Sequence, residues 1–185
     1  MTTLVIHPDD RTTDFLIPIY MNLKSFPDFD ETTILRGGVS KNEIRKMISE
    51  YDKVIMLGHG SPRGLFGMGK YEDVENSMII DESMISALAR KKNNIYIWCH
   101  ANQFVERYYL NGFYSGMFIS EVSEALMYSI NASQAEVDES NNLFADIVGK
   151  NILMEAKNLR DITKVNYYIP GSKVSKYNNS LLNYK

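Results

Sequence analysis

Four stretches of the chain carry residue types that do chemistry: His7-Pro8-Asp9-Asp10-Arg11, Gly58-His59-Gly60-Ser61, Cys99-His100 and Ser120-Glu121. Each follows a short apolar run, and together they hold all three histidines and the single cysteine of the 185-residue chain. Imidazole and thiol are the groups suited to acid–base and nucleophilic work near neutral pH. If the runs before His59 and Cys99 are neighbouring parallel strands, their backbones lie about 5 Å apart, and imidazole and thiol face each other across a substrate. That arrangement suits a cysteine hydrolase, in which sulfur attacks a carbonyl and histidine protonates the leaving group. Gly60 lets the backbone approach a substrate closely, and its N–H can help hold an oxyanion. The bland alternative for an isolated cysteine at a strand end is core packing.

The elements that must position these residues are readable from periodicity. Apolar runs at Leu4-Val5-Ile6, Thr32-Thr33-Ile34-Leu35, Val54-Ile55-Met56-Leu57, Ile95-Tyr96-Ile97-Trp98 and Met117-Phe118-Ile119 predict five strands. The third and fourth are apolar at every position, as expected for central strands covered on both faces. Helical patterns lie between them. Ser40-Lys41-Asn42-Glu43 matches a capping box ahead of the stripe Ile44, Met47, Ile48 and Tyr51. Helices are also expected over Asp14–Ser25 with a bend or late start at Pro18, after Asp81, over Ala101–Leu110, from Ser120 or Ser123, and as one long helix from Ser140 through Leu159. Val165–Ile169 is expected as a sixth strand. Residues 1–170 then form a single three-layer α/β/α sandwich with a mostly parallel central sheet, and 171–185 a loosely held tail or an extended edge. In such sheets the site lies beyond the carboxyl ends of the strands.

The pair of segments VIMLGHGS and NIYIWCHAN resembles the caspase-like (clan CD) cysteine peptidases, which include caspases, legumain, clostripain, gingipain and the CHAT proteases. The shared pattern is an apolar strand ending in His-Gly, then a second ending in the nucleophilic Cys. The segments Gly64-Leu65-Phe66-Gly67 and Ser77-Met78-Ile79-Ile80 fit the small hairpin expected between them. The resemblance covers about residues 1–130. It implies a catalytic His59 and Cys99, an oxyanion hole from the N–H groups of Gly60 and Cys99, a peptide or protein substrate and no cofactor. Trp98 and His100 flank the cysteine where the family carries smaller or differently polar residues. In this fold the specificity pocket draws on the segments after the first and fifth strands, which here offer Asp10, Arg11, Ser120 and Glu121. Arg11 alone favours an acidic side chain, Asp10 or Glu121 alone a basic one, and both signs together a neutral polar one.

Two further readings stand beside this one. His7-Pro8-Asp9-Asp10 resembles the HPDD motif of zinc-dependent N-acetylglucosaminyl deacetylases, implying a metal-binding His7 and Asp with a second Asp as base. Arg11 replaces the usual Glu, and only His59 or His100 remains to supply another imidazole. The other is a caspase-like domain that binds or regulates without turnover. Gly64 to Lys70 spells G-x-x-x-x-G-K, but Tyr71 replaces the magnesium-binding Ser/Thr and acidic Glu72-Asp73-Val74-Glu75 follows, so a mobile loop or hairpin is expected.

Composition narrows the classes. Hydrophobic residues make up 44% and charged residues 23%, values of a folded domain. The net charge of -3 and the absence of a basic run longer than Arg90-Lys91-Lys92 argue against a nucleic-acid footprint. One cysteine excludes an internal disulfide and a multi-thiolate zinc site. The start Met-Thr-Thr-Leu-Val-Ile lacks a charged n-region, and no apolar stretch approaches the ~18 residues of a membrane span, so the protein is expected in the cytoplasm.

Overall fold

The computed structural model describes residues 2–68 and 78–185. Strands β1 (Thr3–Ile6), β2 (Thr32–Leu35) and β3 (Lys53–Leu57) pair in parallel with β1 in the middle. Three short strands follow, β4 (Gly60–Ser61), β5 (Gly64–Phe66) and β6 (Met78–Ile80), forming a separate antiparallel sheet. The expected hairpin is therefore present in β5 and β6, while Ser77 and the Gly69–Glu75 part of the rejected phosphate-loop motif lie outside the described residues. The chain then adds β7 (Asn94–Ile97), β8 (Gly112–Tyr114) and β9 (Asn183–Tyr184) to the main sheet. Its order is β2-β1-β3-β7-β8-β9, parallel except for β9, which runs against β8. The two runs read as central strands, β3 and β7, are the middle pair, buried at every position.

Side chains alternate across the sheet and build two cores. On one face Leu4, Ile6, Val54, Met56, Tyr96 and Trp98 meet Ile44 and Ile48 of α2 (Lys41–Glu50) and the apolar residues of α3 (Ile85–Leu88) and α4 (Ala101–Arg107). On the other, Val5, Ile55, Leu57, Ile95, Ile97 and Phe113 meet Ile19, Phe144 and Leu159. These belong to α1 (Ile17–Met21), which 3-10 turns flank on both sides, and to two later helices. After α5 (Val122–Met127) come α6 (Gln134–Lys150), α7 (Ala156–Asn166) and α8 (Lys173–Ser180). The fold is thus an α/β sandwich with helices on both faces of a mostly parallel sheet. Among the described residues, no helix is long and apolar enough to cross a membrane.

The capping box at Ser40 and Glu43 closes as read, and Pro18 sits at the start of α1, marking its late beginning. Several boundaries differ. Met117–Ile119 is not a strand: Phe118 turns into the core, and the Ile119 N–H and C=O are both satisfied by the Asn178 side chain at 2.8 and 2.9 Å instead of by a ladder. The fifth strand is β8, pressed so close to β7 that a Cβ on Gly112 would stand 2.2 Å from the Asn94 carbonyl oxygen. The single long helix is two, α6 and α7, with α6 beginning earlier at a Ser133–Glu136 capping box and ending at Asn151. Val165–Ile169 is no strand: α7 runs to Asn166 and buried Tyr167 then bonds Ser140 and Asn178. The tail is largely helical, with α8 packed on α6 and only β9 extended.

Candidate active site

Register places the central pair. Leu57 of β3 pairs with Ile97 of β7, and the Gly58 N–H donates to the Ile97 carbonyl at 3.1 Å, so His59 and Cys99 each stand two residues beyond one rung. Both residues line one narrow crevice with Phe15, Trp98, Phe118 and Ser120. Its volume is about 20 Å³, room for a single water.

Within the crevice the two groups turn to different partners. The His59 Nε2 lies 2.6 Å from the Thr12 hydroxyl, which donates to Asp10 Oδ1 at 2.7 Å. A carboxylate only accepts and the hydroxyl has one hydrogen, so the neutral ring carries its proton on Nε2. Burial pushes the Asp10 carboxyl up, but hydrogen bonds from the Thr12 hydroxyl and N–H outweigh it, and His59 adds to them, holding the pKa below its usual value.

Cys99 points to the loop that the sequence placed in a strand. Its thiol donates to the Phe118 carbonyl at 3.7 Å. Burial raises the thiol pKa to about 11, with Glu124 adding to the rise, so the sulfur is protonated at neutral pH. Among the described residues, no backbone carbonyl accepts the Cys99 N–H. The next residue, His100, sits in the left-handed region (φ 66°, ψ 25°), an uncommon place for a non-glycine, and there the chain turns sharply from β7 into α4.

Gly60 has a packing reason to lack a side chain. A Cβ there would fall 2.2 Å from Trp98 Cδ1 and 2.6 Å from the Gly64 carbonyl oxygen. Trp98, the bulky residue before the cysteine, lies under β4 with its indole N–H donating to the Ser61 carbonyl at 3.1 Å.

Beside the crevice, and sharing Phe15 and Ser120 with it, is a cleft of about 460 Å³. Arg11, Ser120 and Glu121 line it, three of the four residues expected to meet substrate. The fourth, Asp10, does not: it caps the turn after β1 and holds Thr12. Gln134, Asp138 and Asn141 of α6 complete the cleft wall. No residue pattern marks these three or Thr12 as part of a site. The Asp-x-Thr spacing signals only a side chain capping a turn.

His7 departs from the metal reading. It is fully buried, with Nδ1 accepting from Arg36 at 2.9 Å beside Tyr20, and Nε2 donating to the Thr13 hydroxyl at 3.1 Å. Arg36 is itself held by Asp9 at 2.7 Å and Asp14 at 2.9 Å. No lone pair of His7 is open to a cation, and burial with the Arg36 charge lowers its pKa to about 4. Among the described residues, no group of three or more His, Cys, Asp or Glu is placed to hold a metal. Compared with known protein families the chain matches none, and no curated protein matches it.

Proposed function

We propose that this chain is a caspase-like cysteine hydrolase that cleaves peptide bonds, with Cys99 as nucleophile and His59 as the acid–base group. One observation carries the reading: the β3–β7 register sets imidazole and thiol at equivalent strand ends, in one crevice that adjoins a cleft large enough for peptide side chains. A thiol with a pKa near 11 does not stand as thiolate at pH 7, where ionising it costs about 5 kcal/mol. Proton transfer must therefore accompany attack. A peptide in the wider cleft presents its carbonyl at the shared edge of Phe15 and Ser120. Cys99 gives its proton to His59 Nδ1 as the S–C bond forms, and the Cys99 and Gly60 N–H groups hold the oxyanion. His59 then protonates the departing amine as the C–N bond breaks, and water cleaves the thioester to regenerate the thiol.

A second reading, a domain that binds peptides without cleaving them, draws on the same buried, protonated sulfur. A thiol-reactive peptide probe separates the two. Labelling of the wild type that vanishes in Cys99→Ala and falls at least about tenfold in His59→Ala supports the hydrolase. Folded protein that binds the parent peptides yet never labels supports the binding domain.

A further inference from the structure

We infer that Asp10 and Thr12 are positioning residues for His59, forming a carboxylate–hydroxyl–imidazole chain that fixes the ring's tautomer. The inference deepens the hydrolase reading and rests on it for its catalytic meaning, but the chain itself is a matter of geometry. Three groups meet within hydrogen-bond distance: Asp10 Oδ1, the Thr12 hydroxyl at 2.7 Å and His59 Nε2 a further 2.6 Å away. The second Asp10 oxygen lies 4.0 Å from the same nitrogen, close enough to attract an imidazolium. The Asp10 side chain is 16% exposed and that of His59 28%, so both stay partly covered where they meet.

Asp10 accepts a hydrogen bond from the Thr12 hydroxyl, the hydroxyl oxygen accepts one from the Nε2–H, and Nδ1 is left as the basic nitrogen able to accept from a thiol. With the tautomers mixed, part of the population would present an N–H to the thiol and could not act as base. The arrangement parallels a carboxylate orienting a histidine in hydrolytic triads, with one hydroxyl inserted between the two.

A purely local role for Asp10 is available, because its carboxylate also accepts from the Thr12 backbone N–H at 2.9 Å and caps the turn. Thr12→Val separates the roles: it keeps that N–H and the side-chain shape but deletes the hydroxyl. Thr12→Ser restores the hydroxyl alone. Nitrogen-15 NMR of the His59 ring reads the tautomer directly, without need of activity. The expected result is a single Nε2–H tautomer in wild type and Thr12→Ser, and a mixture in Thr12→Val, with the same thermal midpoint within a few degrees. Probe labelling should fall about tenfold to a hundredfold in Thr12→Val and recover in Thr12→Ser. An unchanged tautomer in Thr12→Val overturns the inference. If the wild type never labels, the hydrolase reading falls, while the NMR comparison still decides the chain.

Discussion

His7 and His59 each stand just past the end of a parallel strand, and packing sends them to opposite chemistry. His7 is sealed beneath the turn after β1, its ring nitrogens spent on Arg36, Tyr20 and Thr13. His59, two residues past β3, keeps part of its side chain exposed and faces the crevice. The buried ring has a measurable cost. Its pKa is about 4 when folded against 6.5 in the open chain, so between those values the unfolded state takes up a proton that the folded state refuses. The stability present above pH 6.5 is lost as pH falls toward 4, by about 3 kcal/mol. Urea titrations at pH 7.5 and 4.5 should show that fall, and His7→Asn should flatten it. An equal fall in both proteins would mean that other groups carry it. The sequence marked both histidines as candidates because residue type is visible in it. Which ring is sealed depends on Arg36 arriving from the far end of β2.

At the scale of elements, the segment that most changes the site is the one that read as a polar tail. The stretch after Gly171 is rich in Asn, Ser, Lys and Tyr, with only Val174, Tyr177, Leu181 and Leu182 to mark a short apolar face. Yet α8 buries Val174, Ser175 and Asn178, and the Asn178 amide bonds Ile119 on both backbone groups and Tyr167 besides. That clamp holds the 117–120 loop, which brings the Phe118 carbonyl to the Cys99 thiol and Ser120 to the cleft. Asn178→Leu leaves the Ile119 N–H and C=O without partners and should cost about 3 kcal/mol in urea unfolding. It should also speed the reaction of Cys99 with a small disulfide reagent under native conditions. Wild-type stability together with wild-type thiol reactivity would remove the clamp from the account.

For the whole molecule, the sheet separates chemistry from support. The candidate residues gather beyond the carboxyl ends of β1, β3 and β7, as open α/β sheets arrange their sites. At the opposite end, Lys53 opens β3 and is 1% exposed, its ammonium donating to the Ile152 carbonyl just past α6 at 2.6 Å. Burial lowers its pKa from 10.5 to about 8. Below pH 8 the folded protein carries the full burden of a buried charge. Above it the folded lysine loses its proton while the unfolded one keeps it, so this term raises stability by up to about 3 kcal/mol as pH climbs from 8 to 10.5. The difference in unfolding free energy between wild type and Lys53→Met, followed across that range, isolates the effect. A difference that does not change with pH would show that Lys53 is not titrating there.

The central strands are legible in the residues alone. Val54–Leu57 and Ile95–Trp98 are apolar at every position, as short strands covered on both faces are. The strand-end His and Cys are legible too, since reactive side chains directly after such runs fall at one end of a parallel sheet. Local pattern cannot encode that Phe118 belongs to a loop clamped from 59 residues away, that His7 is core, or that the His59 ring meets the Thr12 hydroxyl. Each of these depends on which polar groups meet after the chain has closed. A buried hydrogen bond is set by distance and direction between remote residues, whereas periodicity records only which face of an element must avoid water.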